Sequence, residues 1–305
     1  MLHFFCVNPT AGNVDFDEYS EKIAKACQAK GLDYEIVRSE YKGHITELAR
    51  TAADNNKEIT IYSVGGDGTI NETVNGLMAS KNGDAILVHV PCGSGNDFIR
   101  TFGYNEKEQI DAVLERALDT TVKEIDVMKI NDVYGANISS VGFDAKVVMN
   151  SIKFKKVKII PNKMSYTFSV FYTFVTQGAY DVKMTADGKE LPYGKILLTA
   201  AANGQYYGGG MQPVPTAVID DGLLDLCVVE KVSKLAIPKF FPKYSKGEAD
   251  KIKQAHFLKC KEFVISSDKD LPLNIDGEVS FVKKAVFGIS ERKLKIGILS
   301  LDERK

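Results

Sequence analysis

An α/β domain built on a doubly wound parallel sheet, followed by an antiparallel β-sandwich domain, is the fold class that this sequence predicts. Over roughly the first 120 residues, apolar β-branched runs alternate with segments of helical periodicity, the mark of parallel strands covered by helices. From about residue 125 the texture changes to short strands punctuated by turn residues, which reads as a sandwich. Three of the early strands run into turns rich in glycine and small polar residues, the place where an open parallel sheet binds its ligands. The domain boundaries drawn from this texture are 1–125 and 126–305, with the last strand free to return to the first domain.

The opening "LHFFCVN" (2–8) is apolar and aromatic and predicts a buried strand. "FDEYSEKIAKACQAKG" (16–31) places Phe16, Tyr19, Ile23 and Cys27 at helical spacing and stops on Gly31. "DYEIVR" (33–38) is strand-like and "HITELARTAADN" (44–55) is helical. "EITIYSV" (58–64) predicts the next strand, and "TINETVNGLMAS" (69–80) a helix with Ile70, Val74, Leu77 and Met78 on one face. "DAILVHVP" (84–91) predicts a further strand. In the second half, strand pairs are expected around Asn131-Asp132 and around "DGK" (187–189). "GLLDLCVVEK", "EFVISS", "LPLNIDGEV", "AVFGIS" and "RKLKIGIL" supply more short strands, with helices expected there only over 163–177 and 233–247.

A chain of 305 residues with 44% apolar content can bury a sizeable core. Its formal net charge of −1 gives no whole-chain reason to bind nucleic acid. Cys6, Cys27, Cys92, Cys227 and Cys260 are odd in number, far apart and without a CxxC, which fits free thiols in a reducing cytosol. His89 and Cys92 form a lone HxxC, too little for a metal site. The first residues lack the basic and apolar regions of a secretory signal, and no apolar stretch reaches the ~18 residues of a membrane span. The expectation is a cytoplasmic protein, with contact at the inner face of the membrane left open.

The sharpest feature is Gly65-Gly66-Asp67-Gly68-Thr69, set between a strand and a helix. Glycines there bare the backbone amides at a helix N-terminus, which is a ready phosphate site. Thr69 adds a hydroxyl that could cap the helix. Asp67 would repel a phosphate directly, so it reads as a residue on the Mg²⁺ side or as an orienting group. A second turn, Pro91-Cys92-Gly93-Ser94-Gly95-Asn96-Asp97, and a third, Asn8-Pro9-Thr10-Ala11-Gly12, follow neighbouring strands and are expected to share one nucleotide cleft. There is no GxxxxGK[ST], and the third glycine of a dinucleotide fingerprint is missing.

Taken together, these motifs resemble the diacylglycerol kinase catalytic-domain family, of the bacterial soluble type, with sphingosine and ceramide kinases more distant. "NPTAG" (8–12) looks like the family's NPxSG, with Ala11 in place of the usual serine. "GGDGTINETVNGL" (65–77) is the family signature almost unaltered, and "PCGSGNDF" (91–98) is similar to PxGTxNDF with Ser94 keeping the hydroxyl. "NGQYYGGGM" (203–211), "DDGLLDL" (220–226) and "NIDGE" (274–278) follow in the family's order.

The resemblance implies a two-domain fold like that of NAD kinase and diacylglycerol kinase, which passes the γ-phosphoryl of ATP to a lipid hydroxyl with Mg²⁺. It implies nucleotide contacts at Asn8, Thr10, Gly12, Ser39, Gly65, Gly66, Asp67, Gly68, Thr69, Asn71, Glu72, Gly93, Ser94, Asn96 and Asp97. Among Asp67, Asp276 and Glu278 it favours Glu278 as the base, with Asp276 the second choice; the plain alternative for Glu278 is a hairpin-turn residue. It also implies a structural Mg²⁺ at Asp221, helped by the carbonyls of Val218 and Leu223 or Leu224.

Residues 151–178 set Lys153, Lys155, Lys156, Lys158 and Lys163 beside an aromatic helix. This segment reads either as a peripheral membrane contact or as a core helix with a solvated basic loop. "LAIPKFFPKY" (235–244) carries the same two options. The competing functions are NAD kinase and a non-catalytic nucleotide or lipid sensor; the choice of lipid and a homodimer are left open by the sequence.

Overall fold

Alternating strands and helices build the first of two units into which the chain divides: Met1–Val127, Tyr134–Ala136 and the chain from Ser290 on. The computed structural model describes residues 1–12, 14–93, 95–104, 110–155, 157 and 165–299. The elements of this unit are β1 (Leu2–Val7), α1 (Phe16–Ala29), β2 (Asp33–Arg38), α2 (His44–Asn55), β3 (Ile59–Gly65), α3 (Asp67–Ala79), β4 (Ile86–Pro91), the short α4 (Asp97–Arg100), α5 (Ile110–Ala117) and β5 (Thr120–Ile125). A strand from the far end of the chain, β17 (Leu294–Leu299), completes the sheet, whose order is β2-β1-β3-β4-β17-β5. All neighbours are parallel except β17 and β5. The central strands are apolar throughout because both faces are covered: every residue of β3 is buried. Phe5, Val7, Tyr62, Val64, Val88 and Val90 form one side of the core with Ile23 and Cys27 of α1.

The second unit comprises Met128–Val133 and Asn137–Ile289. In chain order the elements that follow β5 are β6 (Met128–Ile130), β7 (Val133–Gly135), β8 (Ile138–Gly142), α6 (Phe143–Lys155), α7 (Ser165–Thr176), β9 (Tyr180–Asp181), β10 (Lys183–Ala186), β11 (Lys189–Glu190), β12 (Lys195–Ala202), β13 (Leu224–Glu230), α8 (Ile237–Ser245), β14 (Ala255–Cys260), β15 (Glu262–Ile275) and β16 (Glu278–Ile289). The main path of the antiparallel sheet runs β14-β13-β12-β8-β15-β16-β6. Alternation sorts its side chains: Val141, Ala201, Leu226, Leu273 and Phe263 fill one core, while Ile138, Ala200, Ala202 and Cys227 pack under α6, α7 and α8 in another. The turn at 187–188 is a two-residue hairpin with both residues at positive φ (48° and 74°), as its Asp-Gly pair demands.

Helix α6 was not expected from the sequence. "FDAKVVMNSIKFK" is rich in β-branched residues, but it buries Phe143, Ala145, Val147 and Met149 against the sheet, and tertiary burial overrides the weak local preference. The other two helices of this half fall where the periodicity put them. No described helix is long and apolar enough to cross a membrane.

Candidate active site

Strands β1, β3 and β4 are adjacent and in parallel register, so the turns that follow them emerge side by side at the carboxyl edge of the first unit's sheet. Backbone bonds tie them together: Asn8 N–H donates to Val64 O (3.0 Å) and Cys92 N–H to Gly65 O (2.7 Å). At two glycines the packing leaves no room for a side chain. A Cβ on Gly12 would lie 2.0 Å from Cys92 O, and one on Gly93 would lie 2.5 Å from the Cα of Gly66. Gly12 also sits at φ 60°, so both sterics and backbone conformation require glycine there.

Helix α3 starts at Asp67 without a side-chain cap; the amides of Thr69 and Ile70 both donate to Gly66 O (2.9 and 3.2 Å), which leaves those of Asp67 and Gly68 ahead of the helix's own hydrogen-bond ladder. Thr69 does not cap it. Thr69 is buried, and its Oγ1 accepts a bond from Asn8 Nδ2 (2.9 Å). Asn8 Oδ1 in turn accepts from the backbone N–H and the hydroxyl of Thr10 (3.0 and 2.8 Å). Asn8 therefore locks the turn after β1 to the turn after β3, while Thr10 remains exposed. Ser39 is buried with its N–H on Val7 O (2.9 Å).

Asp67 is an organiser of the turn after β4. Its Oδ1 accepts the amides of Asp97 (2.7 Å) and Phe98 (3.3 Å) at the start of α4. Its Oδ2 lies where a Cβ on Gly95 would approach to 2.5 Å. Asn96 adopts the left-handed conformation (φ 50°) and closes on Gly93 in both directions, accepting from its N–H and donating to its carbonyl (3.0 Å each). Asp97 is buried with Arg100 Nε 3.5 Å away, and Arg100 also donates to Gly95 O. Ser94 lies outside the described residues.

Two residues assigned to the nucleotide from the sequence have work elsewhere. Glu72 accepts from the amides of Gly43 (2.9 Å) and Ile45 (3.2 Å), so its two oxygens cap α2. Asn71 is buried and faces Tyr134 O together with Asn75. His89, weighed from the sequence only as half of an HxxC, lies on β4 ahead of the turns. His89 is 1% exposed, its Nδ1 donates to Ser63 O (2.9 Å), and its Nε2 is buried without a partner. Burial lowers its pKa to about 4 even though the charge of Asp67 opposes the shift, so the ring is neutral at pH 7. Cys92 Sγ turns to Val90 O, so the HxxC does not converge.

In the second unit, Asp276 and Gly277 form the two-residue turn between β15 and β16, both at positive φ (46° and 97°). Asn274 Oδ1 accepts the Gly277 N–H (2.9 Å), and the Asp276 carboxylate accepts the Asn137 N–H (3.2 Å). Asn137 also donates through Nδ2 to Tyr206 O (2.6 Å), and its carbonyl accepts from Asn203 and Gly204. It thus joins the Asp276 turn to the "NGQYYGGGM" loop, a link with no sequence signal because its partners are distant in the chain. The loop is anchored by Tyr207, whose hydroxyl donates to the buried Asp144 (2.9 Å) and meets Tyr244 (3.0 Å); desolvation pushes the Asp144 carboxyl above the usual carboxylate range. Glu278 follows the turn as the first residue of β16 and is exposed.

The residues around Asp221 do not suit a divalent ion. Lys259 Nζ lies 2.7 Å from Asp221 Oδ2 and 3.1 Å from Asp225 Oδ2, and Asp221 Oδ1 accepts the Leu223 N–H (3.1 Å). The ammonium bridges both carboxylates and offsets one of their two negative charges. No group of three or more His, Cys, Asp or Glu among the described residues could hold a metal. Val218 and Leu224 therefore lie beside a lysine-bridged pair.

Comparison with known proteins follows the same division of the chain. The profile of the diacylglycerol kinase catalytic domain matches residues 3–130, and that of the YegS C-terminal NAD kinase beta sandwich-like domain matches residues 137–296. The chain is 27% identical over 271 residues to a diacylglycerol kinase of Staphylococcus saprophyticus, covering 89% of this chain and 87% of that one. It is 29% identical over 289 residues to a diacylglycerol kinase of Staphylococcus aureus strain MRSA252, covering 95% and 90%. A crystal structure of a diacylglycerol kinase from Bacillus anthracis strain Sterne matches with a TM-score of 0.73 over 98% of this chain and 96% of that one; at 23% identity it shows the shared fold.

Proposed function

The chain belongs to the diacylglycerol kinase catalytic-domain family and is a lipid kinase; we propose that its phosphoryl donor is ATP with Mg²⁺ and its acceptor the hydroxyl of diacylglycerol or a close relative. The observation that carries the reading is the trio of turns after β1, β3 and β4, packed edge to edge over the N-terminus of α3. Gly65, Gly66, Gly68 and Gly93 would present amides to the phosphates, with Asn8, Thr10, Gly12, Ser39, Thr69 and Ser94 around them. Asn96 and Asp97 brace the turn after β4, while Glu72 caps α2 and Asn71 faces Tyr134 O.

The chemistry asks for two things. Phosphate charge must be reduced so that a neutral alcohol can approach phosphorus, which amides at a helix N-terminus supply. Mg²⁺, bound with ATP beside Asp67, would add charge neutralisation on the phosphates. The alcohol proton must also leave as the new P–O bond forms and the bond to the ADP oxygen breaks. Glu278 is proposed as the acceptor of that proton. Asp276, held by the Asn137 amide, would fix the turn that presents it. Work at the inner face of the cytoplasmic membrane follows from a substrate dissolved in a bilayer.

The test is transfer of label from γ-³²P-ATP into diacylglycerol in mixed micelles, with NAD as a parallel acceptor. Labelled lipid from the wild type, reduced about 10²–10⁴-fold by Glu278→Ala, supports the reading. Labelled NADP without labelled lipid would assign the protein to NAD phosphorylation instead.

A further inference from the structure

Helix α6, the segment that follows α7 and the β15–β16 ladder line a cavity of about 300 Å³ in the second unit. One wall comes from an irregularity in the sheet. β15 pairs with β16 at Ser266↔Lys284 and again at Leu271↔Val282, so four residues of β15 stand opposite Lys283 alone. On its other edge, β15 leaves β10 at Ser266 and meets β8 only from Leu273. A bulge bends its strand and re-aims the side chains on it. Lys269 and Asp270 from this bulge line the cavity, with Pro272 just beyond them.

The rest of the lining combines apolar rings with charge that is not matched. Phe281 is 55% exposed, and the ammonium of Lys146 sits over its ring at 5.2 Å. Among the described residues, neither Lys146 nor Lys269 is paired with a carboxylate. Asp181 is matched by Lys195 at 3.2 Å. Asp270 offsets one of the two lysines, so the wall keeps one surplus positive charge. Tyr180 lines the same wall, and its hydroxyl is buried with no hydrogen-bond partner.

Charge and size together choose the ligand. One surplus positive charge is balanced by a monoanion and over-compensated by a phosphate dianion. A carboxylate only accepts hydrogen bonds, which suits two ammonium groups and an unused phenol donor. The rings of Phe281 and Tyr180, with Pro272, ask for an apolar body that takes them out of water. At ~30 Å³ for each water-sized group, the cavity holds about ten non-hydrogen atoms. We propose that it binds an amphipathic monocarboxylate of that size, a medium-chain fatty acid, with the carboxylate on Lys146 and Lys269 and the chain along Phe281 and Pro272. The site is separate from the turn that presents Glu278, because Phe281 lies three residues, about 10 Å, further along β16. It goes beyond the lipid-kinase reading and does not depend on it.

Sodium octanoate titrated into the wild-type protein in a calorimeter should bind saturably at one site. Its presence should slow hydrogen exchange at 177–181 and 267–272, the backbone around the cavity. Octan-1-ol has the same body without the charge and should bind about tenfold more weakly, or worse. Octanoate should lose about the same factor on Lys146→Gln with Lys269→Gln. Phe281→Ser should weaken both compounds, whereas added salt should weaken octanoate alone. No saturable binding to the wild type, equal affinity for octan-1-ol, or protection away from the cavity overturns the proposal. So does full affinity in the double lysine variant. Inorganic phosphate that displaces octanoate at equal concentration would assign the lysines to a phosphate group and overturn the carboxylate. None of these readouts uses ATP or a lipid acceptor, so this site and the kinase reading stand or fall separately.

Discussion

Gly68 is the residue at which a phosphate can be told apart from a mere turn. Its φ is not positive, and a Cβ built on it meets nothing within 4 Å. The chain itself gives no reason for glycine there. Alanine in the first turn of α3 should therefore stabilise the fold, by about 0.4–1 kcal/mol from the unfolded state alone. For a chain of this size that is an upward shift of Tm of about 1–4 °C. A bound phosphate changes the outcome. A methyl group projects about 1.5 Å from Cα into the space a phosphate oxygen needs to reach the amides. Losing one charge-assisted hydrogen bond costs about 1.5–3 kcal/mol, so KM for ATP should rise about 10- to 100-fold. The assays are differential scanning calorimetry and steady-state kinetics on Gly68→Ala. A more stable enzyme with unchanged KM would refute the placement of phosphates over α3.

Other substitutions separate packing from chemistry. Gly93→Ala places a methyl 2.5 Å from the Gly66 Cα, so it should destabilise by about 1–3 kcal/mol, visible as a lower urea midpoint. His89 has a pKa lowered from 6.5 to about 4, so between those values the unfolded chain binds the extra proton. Stability from this group is complete above pH 6.5, is lost as pH falls towards 4, and amounts to about 3 kcal/mol. His89→Gln should lose that part of the pH dependence, measured by urea unfolding at pH 7 and pH 4.5; identical slopes in the two proteins would remove His89 from the account. Because Lys259 bridges Asp221 and Asp225, chelation should leave the wild-type Tm unchanged, while Lys259→Ala should lower it by about 1–2 kcal/mol of stability and make it responsive to added Mg²⁺. A wild-type Tm that drops on chelation would show that an ion, and not the lysine, holds the pair.

The parts of the molecule that could be read in advance are those governed by near neighbours in sequence. Alternating strands and helices in the first half, the Asn131 and Asp187 turns, and the glycine turns all follow from local pattern and backbone preference. What escaped depends on residues brought together from afar. Glu72 looked like part of a phosphate motif, but its oxygens meet Gly43 and Ile45 from the preceding helix, a pairing no spacing announces. Lys259 reaches Asp221 from the neighbouring strand β14, and Asn137 meets the Asp276 turn from far along the chain. Helix α6 escaped because its Val147-Val148 core suggests a strand until the sheet beneath it is known.

The place of β17 has a consequence for the order of events in the cell. It lies between β4 and β5, pairing Gly297 with both Val88 and Val122, yet it leaves the ribosome after all the other strands of the sheet. Until then β4 is an open edge with unpaired amides, and β5 has no neighbour. The α/β half, though translated first, must wait some 170 residues to close, long after the sandwich strands have been made. Such long-range closure is slow, and the interval exposes an apolar strand to other nascent chains. A chain stopped before Leu294 would thus lose the architecture of its beginning, and a chaperone's most probable client here is the half that appears first.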